Sequence, residues 1–188
     1  MSRDLYTSEG RVERWVGIDQ LPEHALLYPG SFHPFHRGHQ GLLDAAQEVS
    51  GRRGVIELSM INADKKPLDE ESVLARLDQI PAHLPVVVTR APTFLEKAML
   101  FPGAWFALGF DTAVRLLDAR YVADVEGMLS RFLELDSRFI VAGRLYKDCY
   151  CSLDELAIPA TYRALFIPIP EQLFRADISS TQLREDQD

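Results

Sequence analysis

The sequence predicts an α/β fold, a three-layer sandwich with a mainly parallel central sheet. Two observations carry this expectation. Short runs rich in Val, Ile and Leu alternate with stretches whose apolar residues recur at helical spacing. The alternation continues from residue 25 to residue 169 without an internal repeat, a low-complexity tract or a long linker. Strands separated by helices are joined by right-handed crossovers, which leave neighbouring strands parallel.

The elements follow in order. Ala25 to Tyr28 is a short apolar run stopped by Pro29 and Gly30, read as the first strand. From Gly38 the spacing of Leu42, Ala46 and Val49 predicts a helix that Gly51 closes. Residues 54–61 (GVIELSMI) read as a second strand, and Val73, Leu74, Leu77 and Ile80 as a helix ended by Pro81. Residues 85–89 carry a valine triplet, the pattern of a strand buried on both faces. Residues 94–101 read as a helix broken by Pro102 and Gly103, 105–108 as a strand, and 112–120 and 125–135 as helices. Residues 138–142 and 164–169 complete five or six strands in a Rossmann-like arrangement. Residues 1–22 fit the alternation poorly and are read as an N-terminal arm of unassigned structure; residues 23–188 form the domain.

Composition narrows the function. With 188 residues the chain is long enough for one domain with a real core, and 47% hydrophobic and 26% charged residues are ordinary for a globular protein. A formal net charge of −8 argues against a broad nucleic-acid surface but not against a local basic pocket. No apolar run is long enough to span a bilayer, and MSRDLYTSEG lacks the apolar core of a secretory signal. Cys149 and Cys151 match neither a disulfide framework nor a zinc knuckle. The expectation is a cytoplasmic protein with free thiols, no membrane or nucleic-acid partner, and room for a homo-oligomer.

Three of the five histidines, His33, His36 and His39, fall within LYPGSFHPFHRGHQGLLDAA, between the first strand and the first helix. Ligands of open α/β sheets bind beyond the carboxyl ends of the strands, and a helix start there offers unpaired N–H groups to an anion. Gly30 and Gly38 allow tight turns and close approach. The segment is neither a Walker loop nor a dinucleotide fingerprint. Three readings stand: a phosphate-handling site, a zinc site built from the three imidazoles, or structural histidines. A second polar stretch, residues 178–184 (ISSTQLR), sets Ser179, Ser180 and Thr181 before Arg184, hydroxyls and a guanidinium suited to phosphate oxygens. An ordinary capped C-terminal helix is the alternative.

GSFHPFHRGH resembles the GxFxPxHxGH signature of the HxGH-type nucleotidyltransferase superfamily, with His36-Arg37-Gly38-His39 as its core. ISSTQLR is similar to the ISSTxxR motif of the same enzymes, and Gly109-Phe110-Asp111 to the GxD segment between the two. The motifs are closest to the branch that adenylylates nicotinate or nicotinamide mononucleotide. The resemblance implies transfer of a nucleoside monophosphate, AMP from ATP with Mg²⁺, to a phosphorylated small-molecule acceptor, with pyrophosphate released. It makes His36, His39 and Arg184 catalytic. It assigns Gly30, Ser31, Phe32, His33, Gly38, Gly109, Asp111, Ser179, Ser180 and Thr181 to the nucleotide, and it implies no protein-held metal.

Lys65 and Lys66, after the second strand, and Arg90, after the third, are candidates for acceptor binding. Lys97 and Arg144 are further candidates for anionic groups, and Asp111 has a second reading as a helix cap. Two departures from the branch are visible. His33 stands where its members carry aspartate or asparagine, and ELSMINADKKP lacks their proline- and histidine-rich loop. A cytidylyltransferase, a nucleotide hydrolase and a non-catalytic nucleotide-binding module are the other readings.

Overall fold

A strand that alternates its side chains between two faces needs cover on both. Here, helices from the crossovers supply it. The computed structural model describes residues 5–6, 11–61, 67–146 and 149–175. In chain order they form β1 (Leu5–Tyr6), β2 (Arg11–Val16), β3 (Ala25–Gly30), α1 (Arg37–Ser50), β4 (Arg53–Ser59), α2 (Glu70–Leu77), β5 (Val86–Thr89), α3 (Phe94–Leu100), β6 (Trp105–Gly109), α4 (Phe110–Leu116), α5 (Val125–Glu134), β7 (Phe139–Ala142), β8 (Arg144–Tyr146), β9 (Cys149–Cys151) and β10 (Phe166–Ile169). The main sheet has the order β1-β2-β5-β4-β3-β6-β7-β10. Strands β3, β4, β5, β6, β7 and β10 are parallel. The six expected strands and the three-layer Rossmann-like architecture are therefore present. From β3 the chain builds outwards first through β4 and β5, then back through β6, β7 and β10. The switch lies between β3 and β6.

Alternation sorts the core into two halves. Leu26, Tyr28, Ile56, Leu58, Val86, Val88 and Ile140 face α1 and α2. Leu27, Val55, Val87, Phe106, Leu108, Phe139 and Val141 face the other way, with Ala98 of α3, Ala113 of α4 and Phe132 of α5. The arm that the sequence leaves unplaced supplies β2, an antiparallel edge strand against β5. A register shift between Val12 and Arg14 lets Val12 and Trp15 both reach the second half of the core.

Boundaries differ from expectation where polar groups decide them. Helix α2 starts at Glu70 because Asp69 accepts from Ser72 N–H at 2.8 Å, and it ends at Leu77. Helix α4 stops at Leu116, short of the expected residue 120; Asp118 accepts from the Arg120 N–H and guanidinium, a local turn that competes with further helix. Residues 160–165 form 3₁₀ turns, so the last strand begins at Phe166. The β8–β9 hairpin has no counterpart in the expectation. Trp105, expected in the core, is half-buried and lies under two guanidinium groups, Arg52 at 3.9 Å and Arg138 at 5.1 Å. No helix among the described residues is long and apolar enough to cross a membrane.

One buried ion pair sits beneath the ends of β4 and β5. Glu57 is fully buried and lies 3.5 Å from Lys97 of α3, itself 4% exposed. Thr89 Oγ1 donates to Glu57 at 2.5 Å, and Lys97 Nζ donates to the Ala91 carbonyl. Lys97 is thus a counterion inside the fold, not the exposed substrate contact that its place in the sequence suggested. Burial raises the Glu57 carboxyl pKa, against the lowering pull of Lys97 and Thr89. Removing one partner strands the other, so Lys97→Met should cost about 3–5 kcal/mol near neutral pH. The loss should shrink as pH falls and Glu57 takes up a proton. The double variant Glu57→Leu/Lys97→Met should recover most of it. Urea denaturation of the three proteins at pH 7 and pH 5 checks this; a single variant as stable as the parent would contradict it.

Candidate functional site

The switch point opens into a cleft of about 420 Å³, lined at the strand ends by Gly30, Gly109 and Gly143 and on its floor by His36, Gly38 and His39 of the α1 start. The first residues of α1 have N–H groups with no partner inside the helix. Here two imidazoles take them. Gly38 N–H donates to His36 Nδ1 at 3.2 Å, and His36 N–H donates to His39 Nδ1 at 3.2 Å. This is a reciprocal capping box with histidine in both roles. The two rings are stacked, with centroids 3.7 Å apart. Because each Nδ1 accepts, the neutral imidazole carries its proton on Nε2.

His39 is also walled by aromatic rings, Phe32 at 5.1 Å and Phe35 at 5.4 Å between centroids. It lies in the first turn of α1 rather than in a loop. Burial, reinforced by His36, lowers its pKa to about 3, and burial lowers that of His36 as well. Both are neutral donors near pH 7.

The loop before α1 departs from its expected geometry. Neither Gly30 nor Gly38 is left-handed; the residue that is, at φ 44°, is Phe32. That backbone folds the Phe32 ring back beneath Gly30, where a Cβ would meet it at 2.6 Å. Glycine at position 30 therefore serves close approach, not a turn. The left-handed conformation costs a bulky residue about 1–2 kcal/mol, which burial of the ring offsets. Ser31 presents its carbonyl to Arg76 of α2 at 2.7 Å. His33 is exposed and does not line the cleft.

Across the cleft, Asp111 and Thr112 stand on α4 and Arg144 follows β7. Asp111 forms an ion pair with Arg144. It is inside the helix, and the cap position belongs to Gly109 with no side-chain bond, so the capping role does not hold. Gly109 leaves open space where a Cβ would stand. The sequence reading missed Arg115, which also lines the cleft; its place four residues after Asp111, on one helix face, was the available signal. It missed Phe174 too, which packs on bare Gly41 of α1 with no motif to announce it.

Arg90 is not brought here. It forms an ion pair with Glu13 of β2 and lines a separate hollow. Lys65, Lys66, Ser179, Ser180, Thr181 and Arg184 lie outside the described residues. Among the described residues no group of three His, Cys, Asp or Glu side chains is gathered for a metal.

Comparison with known proteins agrees with this geometry. The family model described as cytidylyltransferase-like matches residues 27–186, nearly the whole parallel sheet and both motifs. A phosphopantetheine adenylyltransferase of Latilactobacillus sakei subsp. sakei (strain 23K) is 38% identical over 68 residues, covering 32% of this chain and 40% of that protein. The match thus spans less than half the length of that relative. The chain belongs to the cytidylyltransferase-like family, within the HxGH nucleotidyltransferase superfamily.

The depressed histidine pKa has a consequence for stability. Below about pH 6.5 an unfolded His39 takes a proton that the folded one, held near 3, does not. Folded stability should fall with pH from there, by up to about 1.4 kcal/mol per pH unit for one such group. His39→Gln should lack that part of the slope. Glu57, raised in the fold, acts with the opposite sign but is common to both proteins and cancels in the difference. Denaturation free energies at pH 7, 6 and 5 give the comparison, and parallel pH profiles for parent and variant would refute it.

Proposed function

We propose that this chain is an adenylyltransferase that moves AMP from Mg²⁺·ATP to a small acceptor bearing a phosphate monoester. The observation that carries the reading is the reciprocal histidine cap at the cleft floor. It sets two neutral Nε2–H donors at the start of a 14-residue helix, where backbone dipoles already favour an anion. Arg115 and Arg144 supply positive charge on the facing wall. In this reading Arg184, with Ser179, Ser180 and Thr181, holds the departing pyrophosphate portion.

The reaction needs no protein nucleophile. An oxygen of the acceptor phosphate forms a bond to the α-phosphorus, the bond from that phosphorus to the β-phosphate bridging oxygen breaks, and its electron pair leaves with pyrophosphate. The attacking oxygen is already anionic, so no general base is required. A histidine with a pKa near 3 is a poor proton shuttle at neutral pH but a serviceable hydrogen-bond donor. Hydrolysis, by contrast, would need a base for water, and Asp111, the one carboxylate lining the cleft among the described residues, is paired with Arg144. That carboxylate and the Thr112 hydroxyl do not form a metal cage. They suit a magnesium ion held mainly by the triphosphate and water, which would neutralise charge on the phosphates.

For the acceptor, the motifs point to nicotinate or nicotinamide mononucleotide, and the relative's name to phosphopantetheine. Both classes carry the phosphomonoester that the reaction requires. A pyrophosphate-release assay with ATP or CTP against these acceptors tests the reading. With the productive pair, His39→Ala should lower kcat about 100-fold, or ~3 kcal/mol, while the KM for ATP changes far less. The lost cap should cost only about 1 kcal/mol of stability, which thermal unfolding will show. Undiminished turnover in this variant would exclude the catalytic role.

A further inference from the structure

A second hollow, also about 420 Å³, opens at the ends of β4 and β5. Met60, Val73 and Val88 give it an apolar floor. Its outer wall is β2, a strand outside the family-matched residues 27–186, which contributes Glu13 and Arg14. Helix α2, whose Glu70 and Val73 line the hollow, also reaches the loop before α1, where its Arg76 donates to the Ser31 carbonyl.

Both arginines on the rim are already matched. Arg90 Nε donates to Glu13, and Arg14 Nη2 lies 3.2 Å from Glu70 at the start of α2. The Glu13 side chain is only 14% exposed, so drawing Arg90 away would strand a carboxylate in a mostly buried place. With Asp69 also on the rim, three carboxylates face two arginines among the described residues. Hydrogen bonds from Ser72 keep the Asp69 carboxyl below its usual pKa range, so it remains charged near neutral pH. Among the described residues that line it, an anionic group entering here would meet net negative charge and no unmatched arginine. The first cleft has the opposite balance, Arg115 and Arg144 against Asp111.

We propose that this second hollow receives the end of the acceptor remote from its phosphate, and that it favours an apolar body ending in an uncharged or cationic polar group over one ending in a carboxylate. The inference rests on the transfer reading of the first cleft. It replaces the expectation that Arg90 meets an acceptor anion: Glu13 neutralises Arg90, and the edge strand makes the pocket selective.

The test uses the full chain and two matched pairs of phosphorylated probes. Nicotinamide mononucleotide is paired with nicotinate mononucleotide, and 4′-phosphopantetheine with 4′-phosphopantothenate. Titration calorimetry should show at least one pair in which the member without the carboxylate binds about 10-fold more tightly or better, equivalent to ~1.4 kcal/mol. Glu13→Gln should bring that ratio below about 3-fold or invert it, because Arg90 is then free to meet the carboxylate. Glu70→Gln, at an exposed helix start, should shift the ratio the same way and serves if Glu13→Gln does not fold. Equal binding within both pairs, preference for the carboxylates, binding of no probe, or a ratio unmoved in the folded variants would each overturn the assignment. If the preference is present but no acceptor yields pyrophosphate with ATP or CTP, the transfer reading fails and the pocket's selectivity stands.

Discussion

At the start of α1, the N–H groups of His36 and Gly38 need acceptors, and two histidine Nδ1 atoms supply them. Much of the cleft follows from that exchange. Capping fixes the rotation of both rings, which brings them into a stack, and it fixes the proton on Nε2. The spacing of the motif is the spacing of a capping box, cap residue and third helical residue, so the two histidines could not be moved apart by one position and still serve each other. Gly38 lies between them, buried, with its N–H as one of the bonded donors. The aromatic wall of Tyr28, Phe32 and Phe35 then shields His39 in part from water and, with His36 beside it, favours the neutral form. Phe32 reaches that wall only through its left-handed backbone and the missing Cβ of Gly30.

Neutral donors and charged groups divide the work along the sheet. The floor of the first cleft offers hydrogen bonds without net charge, and its far wall carries two arginines and one carboxylate. A site that stabilises charge as it forms benefits from dipoles already in position, since these need no reorganisation during the reaction. The second hollow is built differently, with paired ions around an apolar floor. Among the described residues its arginines are already matched, so the proposed selectivity there rests on shape and hydrogen bonding rather than on an unmatched cation.

What the sequence could disclose tracks how local the signal is. The six parallel strands were legible because strands buried on both faces read as apolar runs, and the valine triplet of β5 is the plainest of these. The histidines were legible as a motif, but their mutual capping was not, because capping boxes are ordinarily read from Ser, Thr and Glu. Strand β2 was hidden by its own irregularity. The register shift after Val12 breaks the two-residue period, so RVERWV does not alternate as a regular edge strand would. Lys97 looked like an exposed cation because its partner, Glu57, is forty residues earlier on another strand. Pairings of that kind belong to the tertiary structure and leave no trace in spacing. Arg115 was the avoidable omission, since helical geometry sets it on the same face as Asp111.

The buried Glu57–Lys97 pair bears on the same division. Replacing such a pair by apolar residues often leaves a protein as stable or more so, which makes stability a weak explanation for its presence. Its hydrogen bonds lead elsewhere. Thr89 joins Glu57 to the end of β5, Lys97 and Ser59 both donate to the Ala91 carbonyl, and the next residue back is Arg90, which faces Glu13. The network therefore fixes the exit of the chain from β5, where one wall of the second hollow begins. An apolar substitute would fill the volume but would leave the Ala91 carbonyl with Ser59 as its side-chain donor and the Thr89 hydroxyl without its carboxylate acceptor, so the turn carrying Arg90 would be held by fewer bonds. The charge buried under the sheet is best understood as the means by which a polar rim on top of it is held in place.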